Sequence, residues 1–291
     1  MSRYRGQLAP AAPSPVAFGL QQQSSMLEIE FAQLSDPGRI REHNEDYLGR
    51  TIPDSPARGR SHGWLFVVAD GVGGNENGEV ASRLAVGTLL AGFESALAGE
   101  PHAPLLQRLV QAANINVHEA GLASGAAGRA MATTLVACAL RFDRFTVAHV
   151  GDSRCYLIRR GRATLLTRDH TLANEQVRLG ILSSGQARES ATRHVLSRSL
   201  GNELFVSADL SEHLLLPGDV LLLSSDGLHG ALPEADLAKA VSGETDLQAA
   251  AEQLVQLANQ RDGSDNVSLQ LVRIRDVERV GMYRGRPYKL P

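Results

Sequence analysis

TTLVACALRFDRFTVAHVGDSRCYLIRRGRATLL, residues Thr133 to Leu166, is the stretch on which the reading of the fold turns. It contains three strand candidates in quick succession, Thr133 to Arg141, Phe145 to Val150 and Cys155 to Arg160. Arg160-Gly161 then reads as a turn before Ala163-Thr164-Leu165-Leu166. Such a succession is a meander and implies antiparallel pairing. Working outward, apolar runs of strand type occupy Trp64 to Ala69, Val220 to Ser224 and Asn266 to Ile274. Met26 to Ala32 alternates apolar and acidic side chains, the pattern of a half-buried strand. Long helices are predicted over Glu79 to Leu97, with Val80, Leu84, Thr88 and Ala91 on one stripe, and over 104–123, where Leu105, Leu109, Ala112, Asn116 and Ala120 recur at helical spacing. Further helices are predicted near Pro233 to Val241 and Asp246 to Asn259. Strand groups and helices are segregated instead of alternating one for one, so the expected class is α+β, layered around antiparallel sheet.

The rest of the chain is read as connection. Residues 1–26, with Pro10, Pro13, Pro15 and a Gln-Ser run, are expected to form a disordered tail. The folded unit is expected over 27–275 and a second tail over 276–291. Residues 53–63 read as a surface hairpin loop, and 169–205 as an irregular insertion beside a site, with one short helix from Asn174 to Leu179.

Composition narrows the function classes. With 29 Lys+Arg against 32 Asp+Glu and a net charge of −3, the chain has no global basic field to favour nucleic acid or an anionic membrane. No apolar run approaches the ~20 residues of a membrane span, and the start lacks an apolar export segment. Both cysteines, Cys138 and Cys155, lie in apolar runs and read as small buried hydrophobes. Cytoplasmic residence as a monomer, with no nucleic-acid or membrane partner, is the expectation.

Chemistry is announced by acidic residues at the ends of apolar runs: Asp70 after Trp64 to Ala69, Asp152 after Thr146 to Gly151, Asp226 after Val220 to Ser225, and Asp265 just before Val267 to Val272. Carboxylates gathered at strand ends repel one another and resist desolvation, so their recurrence suggests one polar pocket filled by metal. A site of carboxylates without His or Cys suits the hard cations Mg²⁺ and Mn²⁺.

Arg41-Glu42-His43-Asn44-Glu45-Asp46, Asp70-Gly71-Val72-Gly73-Gly74, Gly151-Asp152-Ser153-Arg154, Ser225-Asp226-Gly227 and Asp265-Asn266 stand in the order of a known motif series. Over roughly Leu27 to Arg275 the chain resembles the PP2C (PPM) family of metal-dependent protein serine/threonine phosphatases, in its bacterial form. The resemblance implies a four-layer α-β-β-α sandwich, two central mostly antiparallel sheets flanked by helices. It implies that Asp70 bridges two Mn²⁺ or Mg²⁺ ions, that Glu45 and the Gly71 carbonyl complete one side, and that Asp226 and Asp265 hold the other. Asp46 would orient metal-bound water, and Asp152 with Asp226 would ligate a third, weaker ion. Two cations about 3.5–4 Å apart lower the pKa of a bridging water for in-line attack on phosphorus. Arg41 offers a planar guanidinium for bidentate capture of the substrate phosphate. Asp70, Asp226 and Arg41 are thus the expected catalytic residues, and phosphoserine/phosphothreonine proteins, a cognate Ser/Thr kinase among them, the expected partners.

Two positions depart from the family pattern. Val72 and Asn75 stand where relatives carry a histidine suited to protonating the leaving group, which leaves the general acid unassigned. His149 reads as a structural histidine, His170 as a residue capping the loop or touching substrate, and Arg154 and Arg198 as structural partners of carbonyls and carboxylates. Rival phosphatase chemistries fit poorly: Gly151-Asp152 is followed by Ser153-Arg154-Cys155 where a calcineurin-like enzyme needs Gly-Asp-x-His-Gly, the strand ends lack a nucleophilic Asp-x-Asp, and both cysteines lie in apolar strand-like runs instead of the phosphate-binding loop of a cysteine phosphatase. The alternative of another class is a non-catalytic PP2C-like module that holds a phosphoprotein or kinase. Loss of a metal carboxylate would favour it, yet Glu45, Asp70, Asp226 and Asp265 are all present.

Overall fold

The structure is a computed structural model and describes residues 26–72, 76–124, 131–283 and 286–290. In chain order its elements are β1 (Glu28–Asp36), β2 (Asp46–Thr51), α1 (Pro56–Ser61), β3 (Trp64–Val72), α2 (Glu76–Glu94), α3 (His102–Ala123), β4 (Ala132–Thr133), β5 (Leu135–Arg141), β6 (Arg144–Val150), β7 (Arg154–Arg159) and β8 (Arg162–Leu165). There follow α4 (Leu172–Arg178), α5 (Ser184–Glu189), β9 (Asp209–Leu214), β10 (Val220–Ser224), α6 (Asp226–Ala231), α7 (Glu234–Gly243), α8 (Leu247–Arg261), β11 (Val267–Asp276), β12 (Val280–Tyr283) and β13 (Arg286–Lys289). One sheet runs β1-β11-β10-β7-β8, the other β2-β3-β5-β6-β9 with β4 beside β3, and every pairing is antiparallel.

The apolar runs explain the layering. Successive side chains of a strand point to opposite faces, so a continuous apolar run must be covered on both. Leu222 of β10 packs toward α6, α7 and α8, among Leu237, Leu254 and Ala258, while its neighbours Leu221 and Leu223 point into the space between the sheets. In β3, Leu65, Val67 and Ala69 face α2 and α3, while Phe66 and Val68 join Leu221, Leu223 and Val272 between the sheets. Three apolar seams therefore stack between four layers, the α-β-β-α sandwich expected for the class.

The meander is split. β5 and β6 pair in one sheet, but β7 and β8 belong to the other, and Gly151-Asp152-Ser153 carries the chain across. Gly151 makes the crossing with φ of +105°, and a Cβ there would lie 2.7 Å from the Thr134 side chain. The turn between β7 and β8 is the expected one, with Arg160 and Gly161 both at positive φ.

Other differences have local causes. The α2 stripe is rotated: Ala81, Ala85, Val86, Leu89 and Phe93 are buried, whereas Val80 is 46% exposed. Small residues let α2 sit close on β2, where a Cβ at Gly49 would stand 2.3 Å from Val86 Cγ1. The stretch read as a hairpin loop contains α1, capped by the Ser55 side chain, which accepts from the Arg58 N–H, with Pro at its start. The irregular insertion holds a second short helix, α5, closed by a Ser183/Gln186 capping box. Part of the expected C-terminal tail pairs as the β12–β13 hairpin. The expected N-terminal tail lies, but for Met26, outside the described residues.

Gly151→Ala is expected to lower unfolding stability by about 2–4 kcal/mol, from a left-handed conformation that L-residues resist and from overpacking against Thr134. Chemical denaturation measures this, and an unchanged midpoint would contradict the account of the crossing.

Candidate metal centre and substrate cleft

The site forms where strand ends from both sheets meet. Asp46 opens β2 and Asp70 lies near the end of β3, directly opposite each other in the antiparallel register. Asp226 begins α6, Asp265 precedes β11, and Asp152 sits in the crossing between sheets. Arg41, Glu45, Asp70, Gly71, Asp152, Asp226 and Asp265 all line one cleft of about 810 Å³. Asp46 lies beneath it, 6% exposed.

Each segment is fixed by polar side chains. The Asp70 N–H donates to Thr134 Oγ1 at 3.0 Å, the Thr134 N–H donates to the Asp70 carbonyl at 2.8 Å, and Thr134 Oγ1 also meets Ser153 Oγ at 2.7 Å, next to Asp152. Glu45 is held at its backbone: its N–H donates to Asn266 Oδ1 at 2.8 Å, and its carbonyl accepts from Ser82 Oγ at 2.6 Å. Asn266 Nδ2 donates to the carbonyls of Pro37 and His43, so a single amide clamps the whole loop from 37 to 45. Ser225 occupies the N-cap of α6 yet makes no capping bond. Its hydroxyl instead donates to Asp46 Oδ2 at 2.7 Å and accepts from the Ser268 N–H at 3.0 Å. Glycines permit the close approach: a Cβ on Gly71 would be 2.1 Å from the Gly78 carbonyl oxygen, and one on Gly227 2.1 Å from that of Asn266.

The electrostatics are those of acids crowded together. Burial, eased by hydrogen bonds from Ser268 and Ser225 and aggravated by Asp226, pushes the Asp46 carboxyl up to about 7. Burial and the charges of Asp226 and Asp169 push Asp152 up to about 8. Burial and the charge of Asp46 raise Asp70 well above the usual carboxylate range, and burial with Asp265 raises Asp226. Glu45 is raised by burial, against the pull of Arg41. Arg41 donates to Asp265 Oδ2 at 2.9 Å while remaining about half exposed to the cleft.

Among the described residues no group of three or more His, Cys, Asp and Glu side chains is arranged to hold an ion unaided. Hard cations such as Mg²⁺ keep several waters and bind through one or two carboxylates, so the donor set decides the fit. Here Glu45 Oε1, Asp46 Oδ1 and Asp226 Oδ1 are buried with no hydrogen-bond partner. Orphaned carboxylate oxygens beside carboxyls with raised pKa values fit divalent cations.

The sequence named the carboxylates but not their supports, Thr134, Ser153, Ser225, Ser82 and the clamping role of Asn266. Their signal was adjacency, as in Ser225-Asp226 and Asp265-Asn266, and it becomes legible only when partners are known. Val72 lies on the cleft wall, 41% exposed, and Asn75 falls outside the described residues. His149 and His170 are buried at 1% and 0% exposure. His170 Nδ1 accepts from the Gly151 N–H at 3.1 Å, and its Nε2 lies 3.2 Å from Asp209 Oδ2, pinning the start of the insertion to the crossing. Arg154 grips Asp169 through two bonds of 2.9 and 2.7 Å, and Arg198 donates to Asp209 and the Ser207 carbonyl.

This arrangement of carboxylates on a four-layer sandwich defines a class, and comparison with known proteins agrees. The family model described as Protein phosphatase 2C matches residues 41–272. The chain is 34% identical over 260 residues to the serine/threonine phosphatase stp of Listeria innocua, covering 87% of this chain and 96% of that one. It is 30% identical to the protein phosphatase PhpP of Streptococcus pneumoniae, over 84% of this chain and 97% of that one. Among solved structures, the S. agalactiae serine/threonine phosphatase superposes with a TM-score of 0.78 at 32% identity, covering 85% of this chain and all of that one. The catalytic domain of the phosphatase PstP, solved with two manganese ions, gives 0.71 at 29% identity over 85% and 99%. The chain belongs to the protein phosphatase 2C family.

Asp46 and Asp152 keep their protons in the fold at pH values where the unfolded chain, with carboxyls near 4, has released them. The folded state then binds more protons, and stability falls as pH rises from about 4 to about 8. In chelator, the denaturation midpoint is expected to decline between about pH 5 and pH 8, and Mn²⁺ at the upper end is expected to restore it. A midpoint indifferent to both would contradict the carboxylate cluster.

Proposed function

We propose that this chain is a protein serine/threonine phosphatase that hydrolyses phosphoserine and phosphothreonine esters with the help of two Mn²⁺ or Mg²⁺ ions and a third, weaker one. One observation carries the reading: Glu45 and Asp226, each with a buried carboxylate oxygen that has no hydrogen-bond partner, line a cleft that also holds a half-exposed arginine. Glu45, Asp70, the Gly71 carbonyl, Asp226 and Asp265 would hold the principal ions, and Asp152 with Asp226 the third. When bound, the ions supply Lewis acidity toward phosphoryl oxygens and toward water.

The chain's own groups do the rest. Arg41 turns its guanidinium between Asp265 and the substrate, donating to phosphate oxygens while the ion pair keeps it aimed. Asp46, fixed through Oδ2 by Ser225, leaves Oδ1 unpartnered, and from there it would orient water at the metal centre. The side-chain clamps from Asn266, Ser82 and Thr134 hold backbone and leave the carboxylates of Glu45 and Asp70 unengaged by them, whereas Asp265 accepts from the Asn266 N–H through Oδ1 and from Arg41 through Oδ2. Phosphate monoesters are among the slowest substrates known, with accelerations up to ~10²¹, whereas a lone general base supplies ~10²–10⁴. Metal-assisted chemistry is the route this donor set supports.

Cytoplasmic residence as a monomer acting on phosphoproteins, a Ser/Thr kinase among them, completes the proposal. Among the described residues no helix is long and apolar enough to cross a membrane.

Hydrolysis of a chromogenic aryl phosphate with Mn²⁺ and with chelator tests the reading; folded protein without metal-dependent turnover would leave only a binding module. Asp226→Asn is expected to lower kcat by about a thousandfold with little loss of folding, in keeping with the several kcal/mol a metal centre supplies. Near-normal rates would contradict its role. Arg41→Ala is expected to raise KM more than it lowers kcat, because the arginine binds ground-state phosphate; unchanged KM would contradict that.

A further inference from the structure

The catalytic cleft continues into a second cleft of about 880 Å³, with Asp152, Asp226, Arg193 and His194 lining both. One wall belongs to the insertion, from α4 and α5 through Arg193-His194, and the other to α6 and the start of α7. Its volume is at the upper end of the ~300–1,000 Å³ that small-ligand sites span, more than a phosphoryl group requires. Its lining is mostly polar and charged, with Leu232, Pro233 and Ala187 as apolar patches, a mixture suited to a length of polypeptide.

Charge is sorted across this cleft. Arg154 is committed to Asp169 through two hydrogen bonds. Arg188 and Arg193, on the insertion side, are exposed and form no ion pair among the described residues. The acids of the cleft are Asp152 and Asp226, shared with the candidate metal centre, Asp169, held by Arg154, and, opposite the insertion, Asp262 at the rim and Glu234 in the first turn of α7. The uncommitted positive charge of the cleft therefore lies on the insertion wall, beside the route to the carboxylate cluster.

We infer that the second cleft receives the polypeptide next to the scissile phosphoester, and that Arg188, with Arg193, selects an acidic side chain there. The inference rests on the phosphatase reading above and adds a substrate preference to it. Arg188 lines only the second cleft, so its replacement leaves the catalytic cleft intact.

The test uses the full chain with Mn²⁺, an aryl phosphate, and phosphothreonine peptides identical except for glutamate, alanine or lysine neighbours. The wild type is expected to favour glutamate-flanked over alanine-flanked peptide about fivefold in kcat/KM, the order of a partly exposed charge pair, and less at high salt. Arg188→Ala is expected to erase that preference with aryl phosphate turnover within about twofold, Arg188→Lys to keep most of it, and Arg188→Glu to turn it toward lysine. A wild type indifferent to the flanks, or an unchanged ranking in Arg188→Ala and Arg188→Glu, overturns the inference. Wild-type protein inactive on the aryl phosphate as well would instead refute the phosphatase reading.

Discussion

Gathering carboxylates in one place is the constraint around which this molecule is built. Asp46 and Asp70 face each other across two strands, Asp226 joins them from a helix start, and burial drives all three carboxyls toward their protonated forms. Unaided, such a cluster costs stability, since both desolvation and like charge oppose ionisation. Divalent cations would offset that cost, because carboxylates that repel one another when unaided suit a hard cation.

A cluster under this strain needs a stiff frame. Two sheets buried on both faces, with helices outside them, provide one: Leu221, Leu222 and Leu223 serve two different seams from three consecutive positions. The site sits at the sheet ends, where backbone must leave the ladder and where Gly71, Gly151 and Gly227 allow approaches that a Cβ would block. Hydroxyl and amide side chains then tie one sheet to the other. Ser225 joins α6 to β2 through Asp46, and Asn266 joins β11 to the loop carrying Arg41 and Glu45.

Much of this was legible in the sequence. Continuous apolar runs ending in aspartate marked both the buried strands and the acids, and the motif order marked the family. The remainder was hidden for physical reasons. β2 and β9 are short, polar edge strands that carry little periodic signal, and β9 reads DLSEHL with no buried position. The face of α2 was misread because small residues, Ala81 and Ala85, make its contact with the sheet, while larger apolar ones such as Val80 lie outside. The pattern of the meander gives antiparallel pairing but not its division between two sheets, because nothing local in Gly151-Asp152-Ser153 says that the chain changes layers; the crossing is written in the close approach of Gly151 to Thr134, distant in sequence. Thr134 and Ser153 themselves carry no chemistry that a pattern can flag.

The central claim is that acids from distant segments form a cage for divalent ions. Crystals grown with Mn²⁺ and measured at the manganese absorption edge test it directly. Anomalous density between Asp70, Asp226 and Asp265, with Glu45 and the Gly71 carbonyl at its edge, is the predicted result. Density at other sites alone, or none from a well-ordered cleft, would contradict it.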